Sequence, residues 1–370
     1  MLELATESPS WTLVWLTFGS GLLSLVTLWR LIPWARRRGA LDTAGHAGHV
    51  KVLRDVPNIG GLAFTPLPLL ALGLLALVPG LVLGSLPSGL LEHQDRILEG
   101  RTAAGAISLG GFLLLGLGLL DDRRALPASI KLVVQGLAAA LAVFWGGASV
   151  LEFAGPGVSV VVSLLWIVAV TNAINFIDNM DGLAGGLGFV AALAFACGAA
   201  LNSQWLVATL AAILGGGLLG FLRWNVAPAK VFMGDGGSLP TGFLLAVIAA
   251  RTTWWDPAGE AGPAAGLVGL LVPLGALAIP LYDLVAVTCI RLREGRSPFA
   301  GDQRHLSHRL VQRGISGPKA VFALWLLAAV FAGLAIVVPR AAAGEAIWVA
   351  SGMGLLLLGL LVVDLRGVSK

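Results

Sequence analysis

Eleven runs of mostly apolar residues, each near the length that crosses a bilayer, fill most of this chain. They lie at about 11–32, 61–83, 103–120, 130–147, 158–174, 183–200, 206–222, 237–251, 265–289, 319–338 and 346–365. A crossing helix needs roughly 20 such residues, because each adds about 1.5 Å across a hydrocarbon core ~30 Å thick. Hydrocarbon offers no partner to backbone N–H and C=O groups, and a helix satisfies them within one segment. The expected fold is therefore all-α: a polytopic integral membrane protein of about eleven transmembrane helices, forming a single domain over residues 1–370. Ten is the alternative count, since the runs from 130 to 222 are crowded and the run at 237–251 is short, with Pro240 near its start. Composition agrees: 57% of residues are hydrophobic, 12% are charged and the mean hydropathy is +0.89, which excludes an ordinary soluble domain.

Lys and Arg accumulate on the cytoplasmic side of short loops and so orient the crossings. Residues 1–10 hold Glu3 and Glu7 but no base, whereas Arg36, Arg37 and Arg38 follow the first run. The N-terminus is thus expected outside, without the basic start and cleavage site of a signal peptide. Eleven crossings then leave Arg366 and Lys370 inside. All but four of the 24 basic residues (Arg96, Arg101, Arg251 and Arg340) fall inside or at an inner helix end. The pI near 9.5 is mostly this topology signal, with a contribution from anionic lipid and phosphate ligands, and it calls for no nucleic acid.

Several features carry no chemistry. Cys197 and Cys289 sit inside expected spans, with neither a disulfide framework nor a metal spacing. The stretch around EHQDRILEGR reads as solvated surface, as do His46, His49 and His93. The 50 glycines suit close helix packing. Gly215, Gly216, Gly217 and Gly220 match the dinucleotide pattern G-x-G-x-x-G, yet they sit mid-span with no preceding strand, so packing is the expected role.

The expected topology sends the loops at about 33–60, 121–131, 171–182, 222–237 and 290–318 to the inner face, and five aspartates gather there. They are Asp121 and Asp122 in GLGLLDDRR, Asp178 and Asp181 in NAINFIDNMDGLAGG, and Asp235 in VFMGDGGSLP. A carboxylate centred in hydrocarbon costs roughly 2.5–3.5 kcal/mol, so acids at span ends are functional candidates, although any single one could simply cap a helix. Acids this close repel unless a cation intervenes. All-oxygen ligation suits Mg²⁺ or Mn²⁺ rather than zinc, and Mg²⁺ takes one or two carboxylates, so not all five can be ligands. The loop REGRSPFAGDQRHLSHRLVQRG adds Arg293, Arg296, Arg304, His305, His308, Arg309 and Arg313, a set able to grip phosphate oxygens. An acid cluster beside a cationic loop at a membrane surface implies an anionic, diphosphate-bearing substrate and a partner supplied from the lipid phase. Asp283 follows Pro280 inside the ninth run and reads equally as a cleft acid or a polar plug between helices.

LGLLDDRRALPASIKLVVQ, NAINFIDNMDGLAGG, RWNVAPAKVFMGDGGSLP and GRSPFAGDQRHLSHRL together resemble the polyprenyl-phosphate N-acetylhexosamine-1-phosphate transferases, the superfamily that also contains phospho-N-acetylmuramoyl-pentapeptide transferase. The resemblance runs in order from about Pro57 to Gly314. It implies transfer of a sugar-1-phosphate from a UDP-N-acetylhexosamine to undecaprenyl phosphate with release of UMP, in a bacterial cytoplasmic membrane, from a cleft facing the cytoplasm. It also implies Asp235 as the principal Mg²⁺ ligand, with Asp121 and Asp122 as further candidate ligands. Asp121, Asp122, Asp178, Asp181, His305 and His308 match its catalytic motifs. Lys131, Asn172, Asn175, Asn225, Arg304 and Arg309 fall at expected substrate-binding positions. A homodimer is left open. Ser307 and Asn179 depart from the commoner histidine and glycine. GRSPF followed by HLSHRL resembles the branch that starts O-antigen, teichoic acid and related glycans more than the muramoyl-pentapeptide branch, which is the alternative.

Two other classes compete. A transporter would hold its acids near the bilayer midplane on broken, repeated helices, whereas these lie at one surface. A CDP-alcohol phosphotransferase needs further spaced aspartates after DG, and DGLAGGLGF continues without them.

Overall fold

The computed structural model describes residues 9–38, 56–84, 94–252, 262–299, 303–338 and 343–365. The expectations for the terminal charges, for His46, His49 and His93, and for Arg340 lie outside the described residues. Within them the chain is all-helical, with no extended strand.

In chain order the α-helices are α1 (Pro9–Arg37), α2 (Gly61–Phe64), α3 (Pro66–Leu77), α4 (Pro79–Gly84), α5 (Gln94–Glu99), α6 (Arg101–Asp121), α7 (Ala128–Phe144) and α8 (Pro156–Ile177). They continue as α9 (Leu183–Leu201), α10 (Trp205–Asn225), α11 (Asp235–Arg251), α12 (Gly262–Ala276), α13 (Ala278–Arg293), α14 (Leu306–Gln312), α15 (Gly317–Val337) and α16 (Ala343–Leu365). Six of them, α1, α6, α8, α9, α10 and α15, are long and apolar enough to cross a membrane, and the α12–α13 pair makes a seventh if counted as one span. The other expected runs form shorter apolar helices at Gly61–Leu77, Ala128–Phe144 and Ile347–Val362, together with α11. This is a multi-pass membrane protein, and its lipid-facing residues show it: α1 alone exposes Trp11, Trp15, Phe18, Leu22, Leu23 and Trp29.

Two expected spans are not continuous. The run at 61–83 breaks into three helices, restarting at Pro66 and again at Pro79. The run at 265–289 bends by 73° between α12 and α13. Pro280 has no N–H for the carbonyl of Ala276, which frees the last turn of α12 and permits the bend.

At the centre stands α11, where every residue from Gly236 to Ala249 is buried. It packs against α6, α8, α9 and α10, and an apolar helix enclosed on all sides needs small residues where backbones meet. A Cβ on Gly118 of α6 would lie 2.2 Å from the Asp235 carbonyl oxygen, and one on Gly242 would lie 2.7 Å from the Cα of Thr171 in α8. The glycine run of α10 does the same work. A Cβ on Gly216 would meet the Thr17 carbonyl at 2.1 Å, and one on Gly220 would meet that of Gly21 at 2.1 Å, so this small-x-x-x-small stripe seats α1 on α10.

Candidate active site

The three acidic motifs meet at one end of the bundle. Asp121 ends α6, Asp178 follows the last residue of α8, and Asp235 opens α11. Hydrogen bonds tie these ends together across long stretches of chain.

Asp122 lies just past α6 and caps a different helix. Its Oδ1 accepts the Asp235 N–H at 2.8 Å and its Oδ2 accepts the Gly236 N–H at 3.0 Å, so the orphan amides at the start of α11 are met by a carboxylate. Asn58 steadies that carboxylate with an Nδ2–H bond to Oδ1 at 2.9 Å. The segment bearing Asn58 is itself laced to the FMGD loop, since Phe232 donates its N–H to the Pro57 carbonyl and Gly60 donates to that of Phe232. Gly234 sits between them with φ +70°, where an added Cβ would be 2.7 Å from both Asn58 Oδ1 and Asp122 Oδ2.

The Asp235 carboxylate is aimed by two neighbours. Asn175 Nδ2 donates to its Oδ1 at 2.9 Å and also to Ser238 Oγ at 2.9 Å. Lys131 Nζ stands 3.7 Å from Asp235 Oδ2 and 2.8 Å from Asp121 Oδ2. Asp121 Oδ1 also accepts the Leu126 N–H at 2.7 Å.

The DNMDG turn is held from behind. Asn225, 3% exposed, accepts the Gly182 N–H at its Oδ1 and donates to the Val231 carbonyl, which locks this turn to the FMGD loop. Asp181 Oδ2 accepts the Ala229 N–H at 3.0 Å. Asn172 exchanges hydrogen bonds with buried Gln135, joining α8 to α7. Asn172 and Asn225, expected at the substrate, thus spend their amides on holding helices and loops.

The histidine segment arrives from the far side. Ser307 Oγ donates to Asn179 Oδ1 at 2.7 Å, so the two residues that depart from the family pattern bond to each other across 128 positions. His305 precedes α14, is 5% exposed and directs Nδ1 to Asp283 Oδ2 at 2.7 Å, while Asp283 Oδ1 accepts the Leu306 N–H at 2.6 Å. The His308 ring lies 6.4 Å from that of His305. Arg304 pairs with Glu294 at 2.9 Å and is half-exposed. Arg309 points elsewhere: its Nε and Nη2 grip Asp364 of α16 at 2.7 and 2.6 Å.

Sequence reasoning passed over Asn58, Ser238, Gln135 and Asp364. Asn58 lies in DVPNIGG, where an asparagine before two glycines signals a loop that approaches something closely. Asp364, an acid inside the last apolar run, carried the same signal as Asp121. Away from the acids, a hollow of about 390 Å³ lined by Arg101, Gly105, Leu141 and Trp145 opens at the other end of α6. Its lining contains no acid.

The donor set fits a hard divalent cation. Carboxylate oxygens of Asp121 and Asp235 converge around the Lys131 ammonium, and Asn58 Oδ1 is buried beside Asp122 without a hydrogen-bond partner. Among the described residues no three His, Cys, Asp or Glu side chains close into a cage. Magnesium asks for none, holding one or two carboxylates and keeping its waters.

Acids and a lysine thus meet at one end of a helical membrane bundle, with the histidine segment tied to them through the Ser307–Asn179 bond. Residues 104–253 match the glycosyl transferase family 4. The chain is 33% identical over 344 residues to a decaprenyl-phosphate N-acetylglucosaminephosphotransferase of Mycobacterium leprae, covering 84% of this chain and 85% of the relative. It is 29% identical over 334 residues to a probable undecaprenyl-phosphate N-acetylglucosaminyl 1-phosphate transferase of Bacillus subtilis, covering 86% and 84%. With the undecaprenyl-phosphate alpha-N-acetylglucosaminyl 1-phosphate transferase of Yersinia pestis it shares 33% over 247 residues, 62% of this chain and 64% of the relative. The chain belongs to the glycosyl transferase 4 family of polyprenyl-phosphate sugar-1-phosphate transferases.

Proposed function

We propose that this protein transfers N-acetylglucosamine-1-phosphate from its UDP-sugar to a polyprenyl phosphate of the undecaprenyl or decaprenyl type, releasing UMP and starting a cell-envelope glycan. The single observation that carries the reading is the convergence of Asp121, Asp235 and Lys131 on one another at the end of the bundle. An oxygen of the lipid phosphate attacks the phosphorus that bears the sugar; that P–O bond forms as the bond to the bridging oxygen breaks, and UMP leaves with the bridging oxygen. The basic residues around α13 and α14 support a cytoplasmic site in the inner membrane.

Asp235, aimed by Asn175, would be the principal Mg²⁺ ligand, with Mn²⁺ as a substitute. The bound ion supplies charge neutralisation for the diphosphate. Asp122 acts by placing Asp235 through the cap it gives α11. Asp121 receives the Lys131 ammonium and the Leu126 amide, which suits it to anchoring Lys131 rather than to taking a proton. Lys131 then offers its remaining N–H to a phosphate oxygen. Asp178, Asp181 and Asn179 line the sugar-nucleotide side of the turn that Asn225 holds, and His305, His308 and Arg304 face the diphosphate. Arg309, Asn172 and Asn225 serve as supports.

The test is a purified-protein assay with UDP-N-acetylglucosamine, undecaprenyl phosphate and Mg²⁺, following UMP. Wild type is expected to release UMP, to stop with EDTA and to recover with Mg²⁺, and Asp235→Asn is expected to fold yet release none. Normal turnover by Asp235→Asn sinks the metal assignment. Sugar uptake into sealed vesicles without UMP would point instead to a transporter.

A further inference from the structure

Asp283 is nearly sealed from water at 1% exposure, one turn into the helix that follows the 73° bend, and its two oxygens reach a single short stretch of chain. One takes the Leu306 N–H at 2.6 Å and the other takes His305 Nδ1 at 2.7 Å. A buried acid that merely plugged the space between helices could satisfy itself on any nearby donor. This one meets both the imidazole of His305 and the first amide of α14, fixing where the ring starts and which way it turns.

We propose that Asp283 is a positioning residue for the transfer reaction and acts through His305: it holds the proton on Nδ1 and leaves Nε2 as the nitrogen that meets the diphosphate. The inference rests on the transferase reading above. A carboxylate can only accept, so Nδ1 carries hydrogen whether the ring is neutral or charged, and every gain or loss of a proton falls on Nε2. In the neutral ring Nε2 is an acceptor, and in the charged ring it donates to a phosphate oxygen. The Ser307–Asn179 bond ties the same segment to the DNMDG turn.

Asp283→Asn separates this role from simple support. The amide oxygen can still accept the Leu306 N–H, but the amide nitrogen then faces Nδ1 and turns it into the acceptor, which moves the proton to Nε2. Reversing a tautomer in this way costs about 10²–10⁴-fold in kcat. The expected result is a loss of at least a hundredfold in kcat for UMP release, with KM for UDP-N-acetylglucosamine within about threefold of wild type. The ¹⁵N spectrum of imidazole-labelled protein, with the His305 signals assigned from His305→Gln, should show Nδ1–H in wild type and Nε2–H in Asp283→Asn. In a His305→Gln background, Asp283→Asn should lower kcat by less than about threefold more. An unchanged tautomer, a near-normal kcat, or an equal loss in the two backgrounds overturns the proposal. If wild type itself releases no UMP, the transferase reading fails, while the ¹⁵N spectra still decide whether Asp283 sets the His305 tautomer.

Discussion

Arg309 and Asp364 offer the sharpest energetic test of how the histidine segment is held. Asp364, near the end of α16, accepts two bonds from the Arg309 fork at 2.7 and 2.6 Å and one from the Tyr282 hydroxyl at 2.7 Å, and Arg313 bonds its backbone carbonyl at 2.6 Å. The Arg309 and Asp364 side chains are only 7% and 5% exposed, so the ~0–1 kcal/mol expected of surface pairs does not apply. Removing one partner of a buried pair costs about 3–5 kcal/mol, because the other charge stays buried and uncompensated. Asp364→Leu leaves Arg309 in that state. Since the pair joins α14 to α16 near the membrane surface, the cost should fall on local opening of this corner and not on the whole bundle. At 1.4 kcal/mol per tenfold, hydrogen exchange of the amides at 305–313 should accelerate by roughly two to three and a half powers of ten, while the α11 amides stay protected. Replacing the pair with apolar residues of similar size is often neutral, so Arg309→Met combined with Asp364→Leu should recover most of the protection. Exchange mass spectrometry of the three proteins in one detergent decides it. Exchange at 305–313 within about threefold of wild type in Asp364→Leu, or a double variant as labile as the single, refutes the reasoning.

Two further outcomes follow from the same geometry. Gly234→Ala forces a Cβ onto a backbone at φ +70° and against the Asp122 carboxylate, so about 1–3 kcal/mol of strain is expected, read as a lower thermal midpoint and at least a tenfold loss of UMP release; a variant as stable and active as wild type would show the FMGD turn to be looser than described. Ser307→Ala should cost about 0.5–1.5 kcal/mol in kcat/KM and Asn179→Ala somewhat more, since it also loses its bond to the Phe176 carbonyl, while the double variant should cost no more than Asn179→Ala alone because the Ser307 bond is already gone; additive losses would mean that the pair is not coupled.

What the sequence disclosed and what it withheld follow from one asymmetry. An acid in an apolar chain is conspicuous wherever it falls, so Asp121, Asp122, Asp178, Asp181 and Asp235 could be singled out, and the helical fold could be read from run length alone. Partnership leaves no such mark when the partners are far apart in the chain: Asp122 is separated from the amides it caps by 113 and 114 residues, and Asn175 from Asp235 by 60. An asparagine beside the acids therefore looks the same whether it lines the cleft or ties two loops, and Asn172 and Asn225 turn out to tie. Arg309 looked like one more phosphate-gripping base of an inner loop because its carboxylate waits 55 residues on, past the last family motif. The acid cluster is thus layered. Asp121 and Asp235 face each other and Lys131, while Asp122, Asp283 and Asp364 hold the start of α11, the His305 ring and α14, each through backbone amides, a ring nitrogen or a guanidinium. A carboxylate buried in order to hold another group needs all its acceptors filled by protein donors, whereas one that meets substrate must keep acceptors for it. By that measure Asp235, which receives Asn175 at 2.9 Å and stands 3.7 Å from Lys131, is the acid with acceptors to spare, and Asp121 joins the holding set through Leu126 and Lys131.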